Sequence, residues 1–141
     1  MVSKSALPRG IRNNNPGNIR EAADGGVQWE GERFTDDDSA FEEFIEPEDG
    51  IRAMARVLIT YYNKYGLNTV RGIITRWAPP HENNTEHYIC IVSNSLNVNP
   101  DAALTYPADL SPLIAAIVHQ ENGQQPYSTA QIDEGIRRAY V

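Results

Sequence analysis

Glu121 is the residue whose type and position point most clearly to chemistry. At about 100° per residue, Ile114, Ile117, Val118 and Glu121 share one helix face, so this acid continues an apolar stripe. It also falls in the last turn of that predicted helix, where the negative end of the helix dipole disfavours a carboxylate. Burial and the dipole both favour the protonated acid, which is the form that a general acid for glycosidic cleavage requires.

Glu121 also has a structural interpretation. A glutamate that closes a helix can turn outward to water, or to a cation such as Arg137 or Arg138. Position alone therefore indicates a site without naming its reaction.

Other side chains have the chemistry of sugar binding. Aromatic rings can stack on sugars, and asparagine amides can bond hydroxyl or N-acetyl groups, although both types also suit a core or a turn. The candidates are Trp29, Trp77, Tyr88 and Tyr127 among the aromatic residues, and Asn18 with residues 13–15 among the asparagines.

The histidines and the cysteine raise the question of a metal site. His87 and Cys90 could share a helix face, but a catalytic zinc needs three protein ligands around an open position. His81 lies across a predicted helix start, and His119 faces away from Glu121. The acidic run 36–38 lacks the glycine and the spaced ligands of a calcium loop. The sequence therefore predicts no metal and no cofactor.

Length and composition restrict the class of protein. The chain has 141 residues, enough for one domain with one core, and we expect a monomer. Its net charge of −7 argues against nucleic acid, since affinity for phosphate comes largely from Lys and Arg. No apolar run is long enough to span a bilayer, and residues 1–8 lack the apolar core of a signal peptide. We therefore expect cytoplasmic synthesis and no membrane insertion. The apolar neighbours of Cys90 predict a buried, inert thiol.

The elements that must position these residues fall into two regions. Residues 1–46 are rich in turn formers and predict loops and a small irregular β-hairpin, with extended pieces at 27–29 and 41–45. Residues 47–141 have helical periodicity. Their predicted boundary signals are Pro47 and Gly66, Asn68 and the prolines 79–80, Asn84 or Thr85, Ser111-Pro112 with Gly123, and Ser128 with Gln131. The predicted fold class is α+β, mainly helical.

Over nearly its whole length, the chain resembles a family of small phage and prophage proteins that has been labelled both virion structural and lysozyme-like. The matching segments are 9–20, 29–31, 41–44, 48–56, 77–80, 82–85 with 88–89, and 119–127. A looser likeness links 18–20, 29–31 and 41–44 to the hairpin of bacterial wall glucosaminidases. Residues 119–123 resemble the glutamate motif of those enzymes and of lytic transglycosylases. Here the glutamate motif follows the hairpin instead of preceding it, as a circular permutation of a lysozyme-like fold would give.

The resemblance implies an enzyme that cuts peptidoglycan glycan strands, with Glu121 protonating the glycosidic oxygen. It leaves muramidase, glucosaminidase and lytic transglycosylase open, because Glu30, Glu32 and Asp36 are equal candidates for a second carboxylate. Such an enzyme would reach the wall after release from the cell or as part of the virion. The alternative is a non-enzymatic virion or tail protein with a lysozyme-like fold, whose partners are other virion proteins. The residues expected to bind substrate are Asn18, Trp29, Asn83, Tyr88, Gln124 and Tyr127.

Overall fold

The computed structural model describes residues 7–21, 29–34 and 37–141, and in these ranges it is mainly helical, as predicted. The helices of the described ranges are α1 (Arg9–Arg12), α2 (Pro47–Tyr65), α3 (Val70–Trp77), α4 (Thr85–Leu96), α5 (Leu110–Asn122) and α6 (Thr129–Ala139). In these same ranges, no helix combines the length and the apolar character needed to cross a membrane.

Four of the predicted helix boundaries are confirmed by their capping groups, and one of them is the end of α5 at Gly123, which has φ of 72°. Gly66 ends α2 with φ of 66°, a left-handed conformation that glycine adopts without strain. The side chain of Asn84 accepts a hydrogen bond from the backbone of His87 at the start of α4. Ser128 and Gln131 form the predicted capping box of α6.

Two predicted starts were wrong by one or two residues. Helix α3 is capped by Thr69 instead of Asn68, because the Thr69 hydroxyl accepts from the backbone of Gly72. Helix α5 begins at Leu110, so Ser111-Pro112 lies inside its first turn instead of at its cap. Leu110 is fully buried, and its burial favours the earlier start.

The core lies between α2 and the later helices. Ile51, Met54 and Leu58 on α2 are fully buried, as are Ile114 and Ile117 on α5. On α4 the core face is taken by Ile89 and Val92. Cys90 is about 100° and 160° around the helix from these two residues and is exposed, so the prediction of a buried thiol was wrong.

The predicted β-hairpin is not formed in the described residues. Segments 19–21 and 31–33 each lie beside segment 40–45, but the described pairing consists of the isolated antiparallel bridges Arg20–Phe41 and Glu32–Phe44. The extended piece expected at 27–29 lies outside the described residues except for Trp29. Within the region expected to form loops, Arg9–Arg12 form the single helical turn of α1.

Asparagine side chains take the place of a continuous strand ladder here. The amide of Asn15 donates to the backbone carbonyls of Ile19 and Glu42, at 2.9 and 3.0 Å, and its oxygen accepts from the backbone of Ile19. The carbonyl of Asn13 accepts from the backbone of Phe44 at 2.8 Å. Because buried backbone groups must be paired, these bonds satisfy the segment without regular strands.

Asp38 ties this irregular region together. Its carboxylate accepts from the Arg9 guanidinium at 2.6 Å, from the Asn13 amide at 2.9 Å and from the backbone of Ala40 at 3.0 Å. The ion pair with Arg9 is the main cause that holds the pKa of Asp38 well below its usual value of 3.8, against the opposing effect of burial.

We expect Asp38→Asn to lower the free energy of unfolding by about 2 kcal/mol near neutral pH, because a buried set of donors loses its charged acceptor. A depressed folded pKa stabilises the fold above the unfolded pKa, and this stabilisation is lost as the pH falls below about 4. Urea unfolding at several pH values should show the two proteins converging in acid. Asp101→Asn, which alters an exposed pair with Arg71, is the control, and a gap that persists in strong acid would contradict the assignment.

Candidate functional site

Glu121 lines an open cleft of about 400 Å³ at the C-terminal end of α5. The residue is half-buried. The Tyr88 hydroxyl donates to its Oε2 at 2.8 Å, and the Asn18 amide donates to its Oε1 at 3.2 Å. The carboxyl group is therefore fixed by one donor on each oxygen while it faces the cleft.

The arginines that could have paired with Glu121 are used elsewhere. Arg137 and Arg138 each bond Glu134 at 2.8 Å, and Arg138 also bonds Asp49 at 3.1 Å. Glu121 thus forms no surface ion pair with Arg137 or Arg138. Its hydrogen-bond partners are the neutral groups of Tyr88 and Asn18.

Tyr88 projects from the first turns of α4 and is only 4% exposed. Burial, followed by the nearby charge of Glu121, raises the pKa of its hydroxyl far above the ordinary value of 10. The phenol therefore keeps its proton across the physiological range and remains a donor to Glu121. Its ring is too buried to stack on a sugar, so its contribution to the site is through the acid.

The loop that presents Asn18 is clamped between two helices. On one side Gly50 of α2 approaches the carbonyl of Asn14 so closely that a Cβ at position 50 would overlap it. On the other side the Asn122 amide of α5 donates to the carbonyl of Pro16 at 2.8 Å. Asn18 itself has φ of 51°, a left-handed conformation that asparagine tolerates better than most residues. The clamp brings Asn18 to Glu121 across 103 positions of sequence.

The rest of the cleft combines aromatic, amide and acidic groups with one basic group, Arg20. Phe41, Tyr61 and Trp77 supply ring surface, and Asn83 supplies an amide. Glu82 brings a second carboxylate into the same cleft, with its side chain about half exposed. Sequence reasoning did not single out Glu82 or Tyr61. The available signal for Glu82 was its place beside Asn83, just before the helix that carries Tyr88.

The acids expected as a second carboxylate lie elsewhere. Glu30 pairs with Arg52 at 2.7 Å, and Glu32 accepts from the backbone of Trp29 at 2.7 Å. Neither is among the described residues that line the Glu121 cleft. Asp36 lies outside the described residues.

The structure brings together some of the expected substrate-binding residues and separates others. Asn18 and Asn83 line the cleft, Tyr88 contacts Glu121 from the buried side, and Trp29 lines a neighbouring cleft. Gln124 is exposed beyond α5 and Tyr127 is buried in the core, and neither is among the described lining of these two clefts. Burial, with a smaller effect of Glu48, raises the pKa of Tyr127 to about 12.

The part of the chain that the structure describes contains no cluster of metal-ligand side chains. There, no group of three or more histidine, cysteine, aspartate or glutamate residues is arranged to hold an ion.

Comparison with known proteins gives one informative similarity. Protein P5 of Pseudoalteromonas phage PM2 is 52% identical to this chain over 131 residues, which cover 91% of this chain and 79% of the phage protein. No known family's sequence profile matches the chain. The expected phage relationship is confirmed by this similarity, whereas a relationship to lysozymes receives no such support.

Proposed function

The chain belongs to the family of Protein P5 of phage PM2, and on that premise we propose that it cleaves the glycan strands of bacterial peptidoglycan with Glu121 as general acid/base. One observation carries the proposal. A half-buried glutamate, with a neutral donor on each carboxyl oxygen, faces an open cleft lined by aromatic rings and amides. Such a cleft suits a chain of N-acetyl sugars.

The proposed reaction begins with the transfer of a proton from Glu121. Glu121 gives its proton to the glycosidic oxygen as the bond from that oxygen to the anomeric carbon breaks, so the leaving sugar departs as an alcohol. The resulting Glu121 carboxylate then takes a proton from the group that attacks the anomeric carbon. If this group is water, the product has a reducing end. If it is the substrate's own hydroxyl, the product has an anhydro end.

Glu82 is the described acid that could complete a hydrolase, because it shares the cleft with Glu121. A hydrolase usually uses a second carboxylate as base or nucleophile, whereas a transglycosylase can act with one acid/base. The proposal includes both reactions. It also includes a lysozyme-like fold in which the order of the motifs is circularly permuted. The permutation is supported by the contact of Asn18 with Glu121, which joins the early segment to the late glutamate motif.

A non-enzymatic virion protein is the second candidate. The name of the relative, Protein P5, assigns it no reaction, and a phage protein can keep a fold without its chemistry. The two candidates differ in what purified wall material should do. If the chain is an enzyme, as we propose, the purified protein should lower the turbidity of purified peptidoglycan. If it is a structural protein, the folded chain should clear no type of wall.

Tyr88→Phe is expected to lower the rate of wall clearing about tenfold, because the Tyr88 hydroxyl no longer holds Oε2 of the Glu121 carboxyl group in position. The fold should remain, since the phenyl ring still fills the buried space. Initial clearing rates and thermal unfolding of the same preparations measure the two effects.

Tyr106→Phe is the matched control. Tyr106 is less buried than Tyr88, and its hydroxyl has no hydrogen-bond partner in the described part of the chain. Its loss should leave the clearing rate within about twofold. Equal clearing rates for wild type and Tyr88→Phe would show that the Tyr88 hydroxyl does not contribute to catalysis.

A further inference from the structure

A second cleft of about 320 Å³ continues from the first. The two clefts share Val57 and Tyr61, so together they form one groove along the surface of α2. The second cleft adds Trp29 and Tyr65 as further aromatic surface. Tyr65 is 45% exposed, so its ring is accessible from the groove.

The second cleft differs from the first in charge. Its described lining contains Arg56 and Arg76 and no acidic residue, although the whole chain carries a net charge of −7. Arg56 donates to the carbonyl of Ala139 at 3.1 Å. Within the described ranges neither arginine has a carboxylate within ion-pair distance. The same holds there for Arg12 and Arg20, whereas the other described arginines are paired: Arg9, Arg33, Arg52, Arg71, Arg137 and Arg138.

Arg76 is held in place by aromatic rings instead of by an acid. Its guanidinium lies 4.0 Å from the ring centroid of Tyr65 and 5.3 Å from that of Tyr61. Arg76 also interacts with the Tyr61 hydroxyl, whose pKa it lowers against the larger effect of burial. Stacking of this kind orders the planar group and leaves its other N–H donors available to a ligand. Guanidinium groups of this type recognise carboxylates in a bidentate manner.

We propose that the second cleft is a subsite for a carboxylate carried by the glycan strand, with Arg76 as its principal ligand and Arg56 as a supporting charge. This inference rests on the proposed function, since it gives the chemical class of the substrate that reaches Glu121. The rings of Trp29 and Tyr65 contact the sugar, and the guanidinium of Arg76 bonds its acidic substituent. The carboxylate can belong to the lactyl group of an unsubstituted muramic acid or to a peptide attached there.

Binding to the full chain carrying Glu121→Gln tests the subsite without turnover. The probes are three hexasaccharides: a neutral N-acetylglucosamine oligomer, one alternating with muramic acid, and the same oligomer bearing stem peptides. Titration calorimetry on this background is repeated with Arg76→Gln added. We expect Arg76→Gln to weaken the binding of the two carboxylated probes about fivefold and the binding of the neutral probe less than twofold. Added salt should likewise weaken the binding of the carboxylated probes more than that of the neutral probe when Arg76 is present.

Arg71→Gln is the control, because Arg71 lies on the same helix but pairs with Asp101 and Glu86 outside the groove. It should change none of the three affinities. Selectivity for both acidic probes supports the shared chemistry, and selectivity for only one identifies the lactyl group or the peptide as the source. An equal loss for all probes, no loss, or no binding of the acidic probes would overturn the subsite.

Failure of the subsite and failure of the enzyme proposal have different signatures. Wall clearing by wild type without Arg76-dependent selectivity would retain the enzyme and reject the subsite. Selective binding of the acidic probes by a chain that clears no wall would retain the subsite and reject the cleavage reaction.

Discussion

Glu121→Gln is expected to slow the clearing of purified peptidoglycan about 1,000-fold, since it removes the proton donor of the reaction and keeps the shape of the side chain. The amide can still bond Tyr88 and Asn18, so the fold and the cleft should persist. The clearing rate at a fixed protein concentration, with thermal unfolding of the same sample, measures the effect.

Glu30→Gln is the matched control for the loss of a carboxylate. Glu30 was a sequence-based candidate for catalysis, but its side chain is 76% exposed and pairs with Arg52. Its replacement should leave the clearing rate within about twofold. If Glu121→Gln clears the wall as fast as wild type, the chemistry belongs to another residue.

Gly50→Ala is expected to lower the free energy of unfolding by about 3 kcal/mol, or Tm by about 10 °C, although alanine is the better helix former. The added Cβ would overlap the backbone carbonyl oxygen of Asn14, which cannot move without displacing the loop that carries Asn18. Wall clearing should therefore also fall at temperatures where the variant remains folded. Urea unfolding and clearing rates together test this expectation.

Gly72→Ala is the matched helical control. A Cβ at Gly72 would meet the Leu67 side chain and the Thr69 hydroxyl at 3.3 Å, a tight contact with side-chain atoms instead of backbone. We expect a change of less than about 1 kcal/mol in either direction. A Gly50→Ala protein as stable as this control would show that α2 and the Asn14 loop are not in rigid contact.

Local sequence signals predicted the helical region well. The apolar period of α2, its proline start and its glycine end all act within a few residues, as do the caps of α4 and α6. The start of α5 was misplaced because the local signal of Ser111-Pro112 competes with the burial of Leu110, which only the tertiary structure reveals.

The amino-terminal region could not be predicted in the same way. Its structure depends on side chains that bond backbone or acids 25 to 31 positions away, such as Asn13 to Asp38 and Asn14 to Ile45. No period or turn signal encodes such pairs. A hairpin was therefore expected where asparagine and aspartate side chains hold irregular segments together.

The candidate site was predictable in its central residue and in some of its neighbours, such as Asn18, Asn83 and Tyr88, but not in the rest of its surroundings. Glu121 was identified because it interrupts an apolar helix face, which is a local anomaly. Its partners come from 33 and 103 positions away, and residue type alone does not distinguish a buried aromatic such as Tyr127 from an accessible one such as Trp29. Glu82 carried no anomaly of its own, so only the shape of the cleft associates it with Glu121.

Mass spectrometry of the soluble products from purified peptidoglycan shows whether Glu121 cleaves the glycan strand, because it identifies the bond that is cut. We expect new saccharide ends, reducing or anhydro, with wild type and almost none with Glu121→Gln. Products with new peptide ends only, saccharide ends that form equally with both proteins, or no products from folded wild type would contradict it.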